Sequence, residues 1–328
     1  MDWKLWVTGL RPKTLPASVA PVFVGAASAW HALQQSTICP DIYPVPQACI
    51  TATQRYQAAQ ERFSTVLIAC ALLALFLQVA VNFANDYSDG IRGTDAARHV
   101  EESYSDKPQR LVASGVKPSL VLTAAAISAI SACVFGMIAV LISGQYLLIP
   151  IGVLCVLAGW FYTGGKHPYG YSGFGELLVF LCFGGVATLG TQYALAARID
   201  SLGILGAVCT GLLSCVMLMV NNLRDLSQDE AVAKRTLAVR LGRNRATVAL
   251  YVAVLIPAAV MVCAIFLSVS SDLERLWPLS LSATLALGSM WSVVSTVHNQ
   301  QFKSALSRSG TALLLYAVTH IVAVVLVA

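Results

Sequence analysis

Charge is what this 328-residue sequence has least of. Asp, Glu, Lys and Arg together make up 11% of it, where soluble domains carry about 25%. So few charges cannot cover a water-exposed surface of this size, which excludes the pair of soluble domains that length alone suggests. The sequence also lacks any C-x-x-C pair and any His/Cys spacing of zinc or haem type. Its nine cysteines therefore mark neither a metal ribbon nor a redox motif. Seven of them (Cys70, Cys133, Cys155, Cys182, Cys209, Cys215 and Cys263) lie in apolar runs, where small thiols are ordinary packing residues. Cys39 and Cys49 share one polar stretch and could pair if that face is oxidising, which the sequence leaves open.

What the sequence has is apolar length, with 57% hydrophobic residues. A membrane span needs about 20 apolar residues, with a range of about 17–25. Nine runs fit, near 15–31, 64–86, 118–142, 146–163, 173–197, 201–222, 246–268, 277–297 and 310–328. The first is interrupted by Pro16 and Pro21, which membrane helices tolerate when neighbours satisfy the freed carbonyls. The expected fold is all-α: one polytopic membrane bundle of about nine helices, forming a single domain over residues 1–328.

Nine spans sort the loops into two sets, and 17 of the 21 Lys and Arg fall in one of them. Cationic loops stay on the cytoplasmic side. This places the N-terminus inside, the C-terminus outside and the long basic loops on the cytoplasmic face of the cell membrane. Topology accounts for the net charge of +5, so it makes no case for nucleic-acid binding. The basic, then apolar, N-terminus is read as a first span and not as a cleaved leader, because "GLRPKTLPAS" is a long polar preface for one.

The two longest inside loops, near 87–117 and 223–245, follow the second and sixth runs. The first opens inside "NFANDYSDGIRGTD" and the second inside "NNLRDLSQDE". Asn85 and Asp89 recur as Asn221 and Asp225 at the same offset of 136 residues, and both runs cross in the same direction. That suggests an internal duplication. If each motif continues its span as a helix, residues three and four apart share a face. Asn82, Asp86 and Asp89, with Asn85 alongside, then form one stripe; Asn221, Asp225 and Asp229 form another.

Lone surface acids at solvated helix ends are commonplace, but two matched motifs, both closing apolar spans on one side, ask for a functional reading. Crowded carboxylates either take up protons or bind cations. Mg²⁺ is satisfied by a few carboxylate oxygens and completes its shell with substrate phosphates. The expectation is a cavity holding a diphosphate through Mg²⁺, with Lys107, Arg110, Lys166, Lys234 and Arg235 available to the phosphoryl oxygens. The loop "YTGGKHPYGYSGFGE" (162–176) packs five glycines and three tyrosines into fifteen residues. It reads either as a cover for an aromatic substrate, with glycines allowing close backbone approach, or as an interfacial turn with a tyrosine belt.

The paired motifs "NDYSDGIRGTD" and "NNLRDLSQDEAVAKRTLAVRLG", in this order on such a chain, resemble the UbiA superfamily of intramembrane prenyltransferases. Within it, "RPKTLPASVAPVFVGAA", the Gly93-x-Asp95 ending of the first motif and "YTGGKHPYGY" resemble the dihydroxynaphthoate polyprenyltransferases of menaquinone synthesis. The resemblance covers most of the chain. It implies that Asn85, Asp89, Asp225 and Asp229 bind Mg²⁺-diphosphate. It leaves the metal role of Asp95 open, since Gly93 stands where the broader pattern has its third acid. Tyr162, Lys166 and Tyr169 fall in the subfamily's loop, Lys234 follows the second motif, and Arg11 lies in the N-terminal motif. The implied substrates are a polyprenyl diphosphate and 1,4-dihydroxy-2-naphthoate, with the bilayer as surroundings. Two rival readings stand beside this one. One is a family member acting on another acceptor, such as 4-hydroxybenzoate, homogentisate or a chlorin. The other is a divalent-cation transporter, which also uses paired acidic motifs on repeats, though near the bilayer midplane.

Overall fold

In lipid every backbone N–H and C=O has to be satisfied within its own segment, so apolar runs of this length fold as helices. The structure, a computed structural model, describes residues 3–35, 47–93, 110–166, 168–268 and 277–327. Among these residues the regular structure is entirely helical. A short α1 (Trp3–Gly9) and a 3₁₀ turn (Pro12–Thr14) precede α2 (Pro16–Gln35) and α3 (Gln47–Ile91). Then come α4 (Pro118–Ser143), α5 (Leu148–Thr163) and a 3₁₀ turn at Tyr169–Ser172. Next are α6 (Gly175–Ala196), α7 (Ser201–Arg224), the short α8 (Leu226–Ala231) and α9 (Leu237–Ser268). The hairpin of α10 (Trp277–His298) and α11 (Phe302–Val327) ends the chain.

Seven of the described helices (α3, α4, α6, α7, α9, α10 and α11) are long and apolar enough to cross a membrane, so the chain is an integral, multi-pass membrane protein. The runs near 15–31 and 146–163 also fold as helices, α2 and α5, but are not among the seven. With 16 residues, α5 is just under the usual range for a crossing, about 17–25 residues. The second run extends further than its apolar stretch. α3 has 45 residues, roughly 68 Å at 1.5 Å per residue. It absorbs residues 47–63 of the expected outer loop at one end and the first acidic motif at the other.

The core forms around α2. Val24 belongs to one buried cluster with Leu213, Val216 and Val220 of α7, Leu250 of α9, Met290 of α10 and Leu313 of α11. A second buried cluster joins Val22 of α2 to Val66, Ala139 and Leu195 of α3, α4 and α6. Small residues let these helices approach closely: a Cβ added to Gly25 would lie 2.2 Å from the Thr188 carbonyl oxygen. Polar pairs fasten the contacts, Ser28 Oγ to His320 Nε2 at 2.9 Å between α2 and α11, and Thr188 to Thr210 at 2.9 Å between α6 and α7. Outward faces stay apolar, as at Ile127, Ile130, Leu154, Leu255 and Trp291.

At the end of the bundle away from the acidic motifs, Asp200 caps α7 by accepting from Gly203 N at 2.8 Å. Gln192 Nε2 at 2.7 Å and His31 Nδ1 at 3.4 Å also reach it. Burial pushes this carboxyl up, but the bonds from Gly203, Gln192 and His31 outweigh it and hold the group below its ordinary value. Cys49 is disulfide-bonded, while Cys39, with which it could pair, lies outside the described residues. The seven cysteines of the apolar helices are free thiols.

Candidate active site

The motif-bearing ends of α3 and α7 and the end of α5 converge on one cavity of about 570 Å³. One end is polar and contains Asn85, Asp89, Asn221 and Asp225 with Arg11, Arg110 and Lys234. The wall then turns apolar along Leu73, Leu77, Met137, Val140, Leu148 and Val186.

The first motif stays helical through Ile91, so Asn82, Asn85 and Asp89 do share a face and line the cavity. Asn85 Oδ1 accepts from Thr163 Oγ1 at 2.7 Å, and Asp89 accepts from the Tyr171 hydroxyl. Asn82 is committed to the N-terminal segment. Its Nδ2 donates to Leu10 O at 2.9 Å and to Thr14 Oγ1 at 3.3 Å, straddling Arg11. Arg11 itself adopts a left-handed backbone, φ 52 and ψ 63, a conformation that costs a non-glycine residue energy and clusters at functional sites.

Asp86 departs from the expected stripe. It is not part of the cavity lining, and its Oδ2 and Oδ1 accept from Leu111 N at 2.9 Å and Val112 N at 3.1 Å. One residue is roughly 100° of helical rotation, enough to turn Asp86 from the cavity beside Asn85 onto the flanking segment. It anchors the returning loop and is not placed to ligate a metal.

The second motif is not one continuous helix. α7 ends at Arg224, Asp225 leaves helical geometry at φ −91 and ψ 7, and α8 restarts at Leu226. Asn221 and Asp225 line the cavity, but Asp229 does not; it is buried 3.5 Å from Lys234 Nζ. Asp225 is held bidentately by its neighbour, Arg224 Nε and Nη2, both at 2.9 Å.

Tyr162 and Tyr169 line the cavity with their rings edge to face, centroids 5.6 Å apart. Tyr169 donates its hydroxyl to Ala158 O, and burial raises its phenol above the ordinary value, so it stays protonated. Lys166 and Arg235 are exposed and do not line the cavity. Asp95 and Lys107 lie outside the described residues.

Sequence reasoning missed four residues here. Glu176 is buried in α6 and accepts from Asn222 Nδ2 at 2.8 Å. A carboxylate inside an apolar run is itself a signal and could have found it. Thr163 and Arg92 carried no such signal. Arg92 donates to the carbonyls of Thr163 and Gly165, tying α3 to the end of α5. Tyr171 was visible only as one of three loop tyrosines.

Among the described residues, no group of three or more His, Cys, Asp or Glu side chains could hold a metal ion. Mg²⁺ takes one or two carboxylates and leaves its remaining positions to water and phosphate. Two carboxylates and two amide side chains facing one cavity are such a donor set.

Over 314 residues, 95% of this chain and 94% of its relative, the sequence is 40% identical to 1,4-dihydroxy-2-naphthoate octaprenyltransferase of Mycobacterium tuberculosis. The protein of the same name from Escherichia coli is 31% identical over 247 residues, 74% of this chain and 70% of that one. Among solved structures, a UbiA homolog from Aeropyrum pernix K1 in its apo form superposes with a TM-score of 0.62 at 13% identity, covering 93% of this chain and 96% of that one. It shares the fold. The UbiA prenyltransferase family model matches residues 48–326, and the chain belongs to that family.

Proposed function

We propose that this protein transfers a polyprenyl group from an allylic diphosphate to 1,4-dihydroxy-2-naphthoate, with loss of CO₂, to give demethylmenaquinol. The carrying observation is one cavity whose polar end holds Asn85, Asp89, Asn221 and Asp225 and whose wall continues as apolar surface. A diphosphate and a long hydrocarbon tail need those two environments, joined. The relatives' names supply the aromatic acceptor.

Asn85, Asp89, Asn221 and Asp225 would hold Mg²⁺, which, when bound, offsets the charge of the departing diphosphate. Lys234, Arg110 and Arg11 line the same end and would donate to the phosphoryl oxygens. Tyr162, Tyr169 and the apolar wall exclude water from the allylic cation that remains. The electron-rich ring attacks that cation at its carboxylated carbon, a C–C bond forms, and the bond to the carboxylate breaks. The hydroxyl proton released on attack returns to oxygen when CO₂ leaves, so no proton is consumed overall.

In this reading the acidic motifs and basic loops face the cytoplasm from the cell membrane, with the N-terminus inside and the C-terminus outside. Helices α2 and α5 complete nine spans. The transporter reading requires charged groups near the middle of the bilayer, whereas these lie at the ends of α3 and α7.

The test is product formation by the purified chain in detergent, given a polyprenyl diphosphate, 1,4-dihydroxy-2-naphthoate and Mg²⁺, with 4-hydroxybenzoate as a competing acceptor. Demethylmenaquinol, detected as demethylmenaquinone after oxidation in air, is the expected product. Prenylation of 4-hydroxybenzoate alone would overturn the acceptor. Vesicle uptake of a divalent cation with no prenyl transfer would overturn the enzyme reading.

A further inference from the structure

The loop between α5 and α6 links the two acidic motifs, and Tyr171 makes the link. Its hydroxyl donates to Asp89 Oδ1 at the end of α3. Its carbonyl accepts from Arg235 N at 3.0 Å, behind the second motif. Two cations face its ring: the Arg92 guanidinium 5.4 Å and the Lys234 ammonium 5.0 Å from the centroid. Lys234 is held in turn by Asp229 at 3.5 Å. The adjacent turn is tight. Gly173 sits at φ +81, and a Cβ there would lie 2.8 Å from the Arg240 side chain and 3.4 Å from Arg235 O, so the loop lies directly against the second motif.

The chemistry of these contacts is selective. A phenol donates one proton, so the Tyr171 hydroxyl fixes Asp89 through a single oxygen, Oδ1. A ring face attracts an ammonium without accepting a conventional hydrogen bond, so Lys234 keeps N–H directions for a phosphoryl oxygen. One side chain thus orients the carboxylate of the first motif and the cation of the second. Two helix ends from different halves of the chain have to present their groups in register, and Tyr171 touches both.

We infer that Tyr171 is a positioning residue that sets Asp89 for cation binding through its hydroxyl and holds Lys234 at the cavity through its ring. The inference rests on the proposed prenyl-transfer reading, and its two halves separate by substitution. Y171F keeps the ring and removes the hydroxyl. Y171L removes both.

The experiment uses the full chain in detergent and two readouts. Mn²⁺ binding is followed by electron paramagnetic resonance in the presence of a non-reactive prenyl thiolodiphosphate. The KM for polyprenyl diphosphate is measured at saturating Mg²⁺. Loss of a group that orients a metal ligand typically weakens metal affinity 10–100-fold. Y171F is therefore expected to raise the Mn²⁺ Kd about tenfold while leaving KM within about twofold of wild type. Y171L is expected to raise KM about tenfold as well, since a desolvated cation–π contact is lost. If Y171L is not recovered folded, Lys234→Met serves as the second arm, with the same rise in KM expected. A Y171F variant with the wild-type Mn²⁺ Kd, or a Y171L and Lys234→Met pair with wild-type KM, overturns the inference. Wild-type protein that neither binds the analogue nor turns over overturns the prenyl-transfer reading instead.

Discussion

Asp86 and Asp89 are three residues apart on one helix, and the structure gives them opposite roles that substitution to asparagine should separate. Asp86 is 1% exposed, and each oxygen accepts one backbone N–H, from Leu111 and Val112. Asparagine there keeps one acceptor and turns an NH₂ donor toward the other N–H. A hydrogen bond to a charged group contributes about 1.5–3 kcal/mol, and a buried donor left unsatisfied costs about 1–3 kcal/mol. These overlap, so D86N should destabilise the fold by about 2–4 kcal/mol. In D89N the amide oxygen can still accept from Tyr171, so the fold should be retained while turnover collapses. The assay is unfolding of both variants in one detergent, with turnover measured per folded molecule. D86N should unfold early yet retain activity in its folded fraction. A D86N protein as stable as wild type but inactive would make Asp86 a ligand and refute the assignment. A fully active D89N would refute the other half.

EDTA should abolish prenyl transfer and added Mg²⁺ should restore it; turnover that survives thorough chelation would remove the metal from the mechanism. Lys234→Ala should raise the KM for the diphosphate about tenfold or more, the loss of one charge-assisted bond. Lys166→Ala, at an exposed position off the cavity, should leave KM nearly unchanged, and steady-state kinetics on the pair decides whether cavity lining is the right criterion. The Asp200 carboxyl is held below its ordinary value by the bonds from Gly203, Gln192 and His31 despite its burial. Its contribution to stability is therefore complete above the unfolded carboxylate pKa of about 3.9 and is lost as pH falls through the lower folded value. Thermal unfolding should weaken below about pH 4, and D200N, less stable at neutral pH, should show a flatter acid limb. An unchanged acid limb in D200N would remove Asp200 from that account.

Several features are legible in the amino-acid sequence by itself. Scarce charge and long apolar runs specify a helical membrane protein, because backbone polar groups have no partner in lipid except one another. The repeated Asn-x-x-x-Asp spacing marks the cavity face, since residues four apart stack on one side of a helix, and Asn85, Asp89, Asn221 and Asp225 all line the cavity. The motif resemblance points to the same family as the match over residues 48–326.

Tertiary structure decided what each polar side chain faces. Helical spacing puts Asp86 near the stripe, but which flank it joins depends on where residues 110–112 return, a contact 25 positions away along the chain. The second motif bends at Asp225, which no local pattern announces, and Asp229 is consequently buried against Lys234 instead of lining the cavity. Lys166 and Lys234 look alike in a sequence, both basic and both in loops beside the motifs. Only the folded chain separates an exposed cation from one poised over Tyr171 at the cavity. Periodicity and composition act over a few neighbouring residues and so determine helices and their faces. The direction in which a carboxylate or an ammonium points is determined by partners distant in the chain, and those partners exist only once the helices have packed.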